Sequence, residues 1–246
     1  MFVILVKMKK YLIYFFLFLF FNCIFINSLS ANPTHVRDVS VSGEEAWPTG
    51  ITFNTNGTKM FIVGTGGRDV TEYSLSDPYN ASTKNELRTL SDNVEWPQDV
   101  EFNNDGTKMF IVSSSNDLVK SFTLSTGFDL STASYDNNDY DTSNRGKGIT
   151  FNTNGTKMFI VDNDEVFEYT LATGFDLSNV TFVQKKELTE LSNDLSNGIN
   201  GIEFNTNGTR MFLVTQNGDI VVEYALSTGY SLTNISEVHR FTTVHS

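Results

Sequence analysis

The chain has 246 residues, a formal net charge of −12 and one cysteine, Cys23, near its N-terminus. The acidic excess repels phosphate backbones and therefore argues against nucleic acid as a partner. Beyond Cys23 the chain contains no cysteine, which excludes disulfides, thiolate metal sites and a cysteine nucleophile from the rest of the protein.

Residues 1–31 resemble a secretory signal peptide. Lys9 and Lys10 precede an apolar run from Tyr11 to Ile26, and the small residues Ser28, Ser30 and Ala31 follow. A run of this length is slightly short for a spanning helix, so we expect no stable membrane span after processing, with a retained anchor as the alternative. The leader contains three of the 17 basic residues and no acidic one, so processing leaves 14 basic against 29 acidic side chains. We expect a secreted, periplasmic or cell-surface protein.

The remaining residues, 32–246, are predicted to form one repeat domain. FNTNGTKMFIV occurs twice without change and twice with small changes, beginning at Phe53, Phe102, Phe151 and Phe204. The spacings of 49, 49 and 53 residues are typical of solenoids and propellers, in which each unit packs on its neighbours. The predicted units are 47–95, 96–145, 146–198 and 199–246, and segment 34–43 is predicted to add one strand before them.

Each unit reads as four short strands. GITF and KMFIV form the first two, joined by an Asn-Gly or Asp-Gly turn in which Gly57 and its counterparts take a positive φ. DVTEYSL and its relatives form the third strand, and LSTGFDL and its relatives follow as a turn. In the first unit, Pro78 stands where the other three units have the turn glycine. The fourth strand is polar and variable, as expected at an outer edge. This pattern predicts an all-β fold, a β-propeller of about four four-stranded antiparallel blades after an N-terminal signal peptide.

The repeated hairpin F-N-x-[ND]-G-T-[KR]-M-F-[IL]-V resembles the blade hairpin of extracytoplasmic β-propellers of the YVTN, TolB and lactonase-like groups. The resemblance covers all four units. It implies a propeller fold and says little about activity. Two differences from those groups are that Thr or Asn replaces their turn proline, and that four blades are counted where six or seven are common.

Ring closure is left open by the sequence. Four units give sixteen strands, and segment 34–43 would make a seventeenth. The ring could close at four blades with an extra edge strand, or the chain could be an arc that pairs with another copy. It could also be a shortened form of a longer propeller. Uncovered blade faces would be apolar, so an unclosed ring predicts a homo-oligomer.

In a propeller, the connections that enter the first strand and those that follow the second lie at one end of the central channel. A ligand pocket there would include two aromatic stacking surfaces and several polar groups. The two aromatic residues are Trp47 and Trp96, for which the alternative is packing between blades. The candidate ligand-binding residues are Trp47, Trp96, Asp99, Arg145, Lys147 and Asn200.

Asp117, Asp164 and Asp219 occupy matching turns and could surround Ca²⁺ or another divalent cation. Aspartate in a tight turn also bonds its own backbone, which is the alternative for all three. The acidic loops 136–141 and 162–165 lack the glycine and glutamate positions of an EF-hand. No cofactor is otherwise predicted.

Two functions are compatible with this pattern. No catalytic residue is predicted, and the regular units favour an exported non-catalytic binding or scaffold module for a protein or a small extracellular ligand. The alternative, implied by the resemblance, is a lactonase-like hydrolase with a divalent metal in the central channel. Asp99, Glu101, Asn200 and Glu203, on or beside the first strands, are the residues available for that chemistry.

Overall fold

The computed structural model describes residues 36–188, 198–215 and 220–242. The chain divides into two units, 1–37 and 38–246, and every described strand belongs to the second. The predicted leader and Asp219 lie outside the described residues. Within the described part, no helix has the length and apolar character needed to cross a membrane.

Four antiparallel sheets follow one another as the blades of a four-blade β-propeller, which confirms the predicted fold. In each sheet the strands are hydrogen-bonded in chain order, except that the short fifth strand of blade 2 pairs with the third strand of that blade. Blade 1 comprises β1 (Pro48–Phe53), β2 (Lys59–Gly64), β3 (Asp69–Leu75) and β4 (Lys84–Leu90); blade 2 comprises β5 (Pro97–Phe102), β6 (Lys108–Ser113), β7 (Leu118–Leu124), β8 (Ala133–Tyr135) and β9 (Tyr140–Asp141). Blade 3 comprises β10 (Gly148–Phe151), β11 (Lys157–Asp162), β12 (Glu165–Leu171) and β13 (Val180–Glu187); blade 4 comprises β14 (Ile199–Phe204), β15 (Arg210–Thr215), β16 (Ile220–Leu226) and β17 (Ile235–Thr242).

The repeated turn glycines have the positive φ that the sequence predicts, as at Gly106, where φ is 73°. In LSTGFDL, however, the left-handed residue is the aromatic and not the glycine, since Phe128 has a φ of 57°. A Cβ on Gly106 would overlap the Phe128 ring, so the glycine provides room for that ring. Phe128 in turn packs on Phe102 at a centroid distance of 5.2 Å. The contact offsets the cost of a left-handed aromatic.

Blades are joined by a repeated aromatic contact. The second-strand phenylalanine of one blade packs on the first-strand phenylalanine of the next, as Phe110 does on Phe151 at 4.6 Å. The same 4.6 Å contact joins blade 1 to blade 2 and blade 3 to blade 4. The second strand is therefore covered on both faces, which explains why its sequence is apolar throughout.

An ion pair within blade 1 also connects this blade to blade 2 through hydrogen bonds. Glu72 lies fully buried in β3 and accepts from Lys59 Nζ at 2.6 Å. Lys59 also donates to the backbone oxygen of Phe128, and the Leu130 amide donates to Glu72 at 3.0 Å. We call this arrangement the latch. Blade 3 repeats the latch with Lys157 and Glu168, whose partners are Tyr230 O and Leu232 N of blade 4.

The predicted extra strand at 34–43 is not formed over 36–43, which contain no strand. The outer-strand positions of blades 1 and 4 are filled by β4 and β17, and the segment packs on a face of blade 1. Val41 contacts the cluster that contains Met60 and Tyr73. The buried carboxylate of Glu45 then accepts from the amides of Gly66 and Gly67 in the turn between β2 and β3.

Candidate functional site: the hub cavity

The innermost strands of the four blades, together with β15 and β16 of blade 4, line a cavity of about 370 Å³, which we call the hub cavity. Its position follows from the blade order, because β1 packs beside β5, β5 beside β10 and β10 beside β14. Successive side chains on a strand point to opposite faces of the sheet, so alternate residues such as Asp99 and Glu101 share one face. The polar side chains that line the cavity include Asp99, Glu101, Asn200 and Glu203.

Asp99 connects two blades at the edge of the cavity. Its Oδ1 accepts from the amide of Val100 at 2.9 Å, and its Oδ2 accepts from the amide of Ile149 in blade 3 at 3.0 Å. Burial is the main influence on the carboxyl and raises the pKa of Asp99 to about 7, against the lowering effect of the two amides. Asp99 therefore changes protonation state near neutral pH.

Glu101 and Glu203 share the cavity with Asp99. Burial raises the pKa of Glu101 well above its ordinary value, and the negative charges of Glu203 and Asp99 raise it further. Burial also raises the pKa of Glu203, against one hydrogen bond from the Phe204 amide at 3.0 Å. Glu203 is the most solvent-accessible of the three. Carboxyls this close cannot all ionise without a positive partner, because like charges in a low dielectric repel.

Asn200 adds an unused acceptor. Its side-chain oxygen is buried and has no hydrogen-bond partner among the described residues. A buried acceptor without a donor costs free energy that a ligand or water could recover. The other walls include the apolar side chains of Ile51, Ile149, Ile202 and Val214, and the described residues that line the cavity include no basic one.

Of the predicted ligand-binding residues, only Asp99 and Asn200 line the hub cavity. Trp47 and Trp96 do lie at the channel end, where their backbone oxygens accept from the amides of Thr65 and Ser114. Their side chains are 69% and 42% exposed, so neither fills a gap between blades. Arg68 covers Trp96, with its guanidinium carbon 4.0 Å from the ring centroid.

Arg145 and Lys147 lie at the same end of blade 3, away from the cavity. Arg145 is exposed. Both residues face Asp162: the Arg145 backbone hydrogen-bonds its carboxylate and the Lys147 charge lies near it. Burial is the larger influence on Lys147 and lowers its pKa, while Asp162 opposes that shift. Both residues thus make local contacts with Asp162, and neither lines the hub cavity.

The candidate cation residues Asp117 and Asp164 are in turns, as predicted. Asp117 has a φ of 58°, and its backbone oxygen accepts from the amide and hydroxyl of Thr142. The backbone oxygen of Asp164 accepts from the Leu188 amide. Within 36–188, 198–215 and 220–242, no group of three or more His, Cys, Asp or Glu side chains is placed to hold a metal ion. The cation ring, with Asp219 undescribed, stays a prediction.

The latch is not among the features predicted from the sequence. Its signal was present, since a glutamate recurs in the third strands DVTEYSL, EVFEYTL and IVVEYAL, which are otherwise largely apolar. A carboxylate in a strand covered on both faces needs a buried cation, and the Lys or Arg that opens each second strand is the nearest candidate.

No family model matches the chain, and no curated protein matches it. Solved structures with a similar fold include a functionally unknown protein from Desulfotomaculum acetoxidans, at 15% identity and a TM-score of 0.50, with 80% of this chain and 56% of that chain covered. They also include a candidate 6-phosphogluconolactonase from Bacteroides uniformis, at 13% identity and a TM-score of 0.52, with 79% and 55% covered. Hydrazine synthase from Kuenenia stuttgartiensis matches at 13% identity and a TM-score of 0.51, with 84% and 53% covered. The chain spans about half the length of these structures, and the likeness establishes the fold alone.

Proposed function

We propose that the protein is an exported, non-catalytic β-propeller that binds a small organic cation in the hub cavity. The observation that carries this proposal is the convergence of Asp99, Glu101 and Glu203 in one cavity whose other walls are largely apolar and include no basic side chain. The acidic composition of the chain supports the same ligand charge.

An alkylammonium ion satisfies each part of this site. Its N–H groups donate to the carboxylates and to the unpartnered oxygen of Asn200, while its alkyl chain packs against Ile149 and Ile202. Its charge also stabilises the ionised forms of the carboxyls. Binding therefore releases protons, and affinity depends on pH where those carboxyls titrate.

The first prediction concerns this pH dependence, with n-butylammonium as the probe. Its own charge does not change between pH 6 and pH 8, because alkylamines titrate near the lysine range. With the pKa of Asp99 at about 7, roughly a tenth of this carboxyl is ionised at pH 6 and roughly nine tenths at pH 8. Isothermal titration calorimetry should therefore give binding about tenfold tighter at pH 8.

The matched controls separate charge from packing. n-Butanol has the same apolar part without the charge and should bind weakly and equally at both pH values. Glu203→Gln should weaken n-butylammonium binding at pH 8, whereas Glu187→Gln, which removes an exposed carboxylate outside the cavity, should not. Binding of n-butylammonium that is independent of pH and of Glu203 would contradict the proposal.

A lactonase-like hydrolase is the second candidate, favoured by one observation. The pKa of Asp99 is about 7, and burial raises the pKa of the neighbouring Glu101 well above its ordinary value; such a pair can act as general base and general acid. Hydrolysis of glucono-δ-lactone, followed by pH-stat, should then exceed the spontaneous rate and return to it in Asp99→Asn. Equal rates with and without the protein would leave the binding module as the remaining proposal.

A further inference from the structure

One blade face is left uncovered. In blades 1 to 3, three apolar positions on the second and third strands face the next blade, and all nine side chains are fully buried: Phe61, Val63, Val70, Phe110, Val112, Val119, Phe159, Val161 and Val166. The strand registers make Phe212, Val214 and Val221 their equivalents in blade 4. Val214 is 43% exposed, and the other two are only partly buried. We call the junction between blade 4 and blade 1 the seam.

The inner strands confirm that the seam differs from the other junctions. A Cβ on Gly50 would overlap Asp99 of blade 2, and one on Gly148 would lie 3.0 Å from Gly201 Cα of blade 4. Around a Cβ placed on Gly201, the only described atom within 4 Å is Cγ1 of Val214, which belongs to the same blade. The close approach that joins neighbouring blades is therefore missing between blade 4 and blade 1.

Blade 1 presents the complementary face at the seam. Ile51 is 54% exposed, whereas its equivalents Val100, Ile149 and Ile202 are buried. Beside it lies an apolar groove of about 280 Å³ between the blade and the segment that contains Val41. The seam therefore has two open faces, and each matches a face that is covered at the other three junctions.

The latch residues in blade 4 also face the seam. Glu223 pairs with Phe212 in the strand register, as Glu72 does with Phe61, and it forms an ion pair with Arg210 at 3.3 Å. At the latches of blades 1 and 3, the next blade supplies a backbone amide to the glutamate and a backbone oxygen to the cation. Blade 4 thus carries the acceptor and the donor for a blade that follows it.

We propose that the seam is occupied by a second copy of this chain, with blade 4 of each copy packed on blade 1 of the other. The reason is that one chain offers both halves of the interface, and that this interface already occurs three times within the chain. Head-to-tail pairing that closes at two copies gives a symmetric ring of eight blades. It buries the apolar side chains at Val214 and Ile51 that are otherwise exposed to water.

Val41 covers part of the blade 1 face, through its contact with the Met60 and Tyr73 cluster. The incoming blade 4 therefore packs beside this segment, over Ile51 and the groove. Ile51 and Val214 also line the hub cavity, so the seam and the proposed ligand site share two walls. The inference rests on the blade faces and not on the hub carboxyls.

The test is the mass of the processed protein by light scattering over a concentration series. The wild type should have twice the mass of one chain. Val214→Asp and Ile51→Asp should each shift it to the mass of one chain, because a buried unpaired carboxylate opposes association. Both side chains are about half exposed in the single chain, so the substitutions should leave its fold intact.

Mixing the two variants distinguishes head-to-tail pairing from pairing of two blade 4 faces. The Val214→Asp copy keeps an intact blade 1 face, and the Ile51→Asp copy keeps an intact blade 4 face. An equimolar mixture should therefore form a heterodimer through one intact interface, weaker than the wild-type dimer. A symmetric contact through blade 4 would instead leave Ile51→Asp dimeric.

Val183→Asp is the matched control, since Val183 is exposed on β13 away from the seam, and this variant should remain a dimer. A wild type with the mass of one chain throughout the series would overturn the proposal. A dimer that survives both seam substitutions, or a mixture that fails to associate, would overturn it as well.

Discussion

Replacing Phe110 with alanine is expected to lower the free energy of unfolding by about 3–5 kcal/mol. The Phe110 ring is fully buried between blades 2 and 3 and packs on Phe151 at 4.6 Å. Its removal leaves a cavity that the flanking strands cannot fill, because both are held by backbone ladders. Urea unfolding followed by circular dichroism measures the change.

The matched substitution is Phe212→Ala, at the equivalent position of blade 4. Phe212 is only partly buried, so the expected loss is about 1 kcal/mol or less. Both should be measured in the Val214→Asp background, where association at the seam does not contribute to stability. Equal losses at the two positions would mean that Phe212 is covered as completely as Phe110, and the seam would then not be open.

Replacing Glu72 with alanine is expected to cost about 3 kcal/mol. The substitution leaves the Lys59 ammonium without its carboxylate and the Leu130 amide without its acceptor, and both lie between blades 1 and 2. Lys59 keeps some solvent access and its bond to Phe128 O, which holds the expected loss to the lower part of the range for broken buried pairs.

Glu223→Ala is the control, because Glu223 occupies the latch position on the open face and its ion pair with Arg210 is partly exposed. Its expected cost in the single chain is below about 1 kcal/mol. Glu72→Gln retains an acceptor for Leu130 and should cost less than Glu72→Ala. If Glu72→Ala were neutral in urea unfolding, the latch would not contribute to holding the two blades together.

Much of the fold could be predicted because the information is local and repeated. The Asn-Gly turn before Lys59 predicts a hairpin in each unit, and the glycine conformation at Gly106 follows from that turn. Segment 34–43 was predicted wrongly over its described residues for a related reason. Its alternating pattern is compatible with a strand, but β4 and β17 already fill the outer-strand positions of blades 1 and 4.

The candidate site was less predictable. Asp99 and Asn200 were selected for their place near the first strands, and both line the hub cavity. The other four residues were selected by the same reasoning and do not line it: Trp47, Trp96, Arg145 and Lys147. Side-chain direction at the end of a strand depends on local turns that the pattern leaves undetermined. Glu101 and Glu203 lie 102 positions apart in the numbering, and only the arrangement of blades places their carboxyls together.

The repeated strand–turn–strand unit is encoded locally, since hydrophobic pattern and turn chemistry act over a few residues. The apolar character of both faces of the second strands also indicates that each unit covers its neighbour. The exposure of Val214 and Ile51 and the convergence of three carboxyls at the hub follow instead from how the blades assemble. Both outcomes depend on the angle between successive blades, which is set by packing across whole interfaces and not by any one segment.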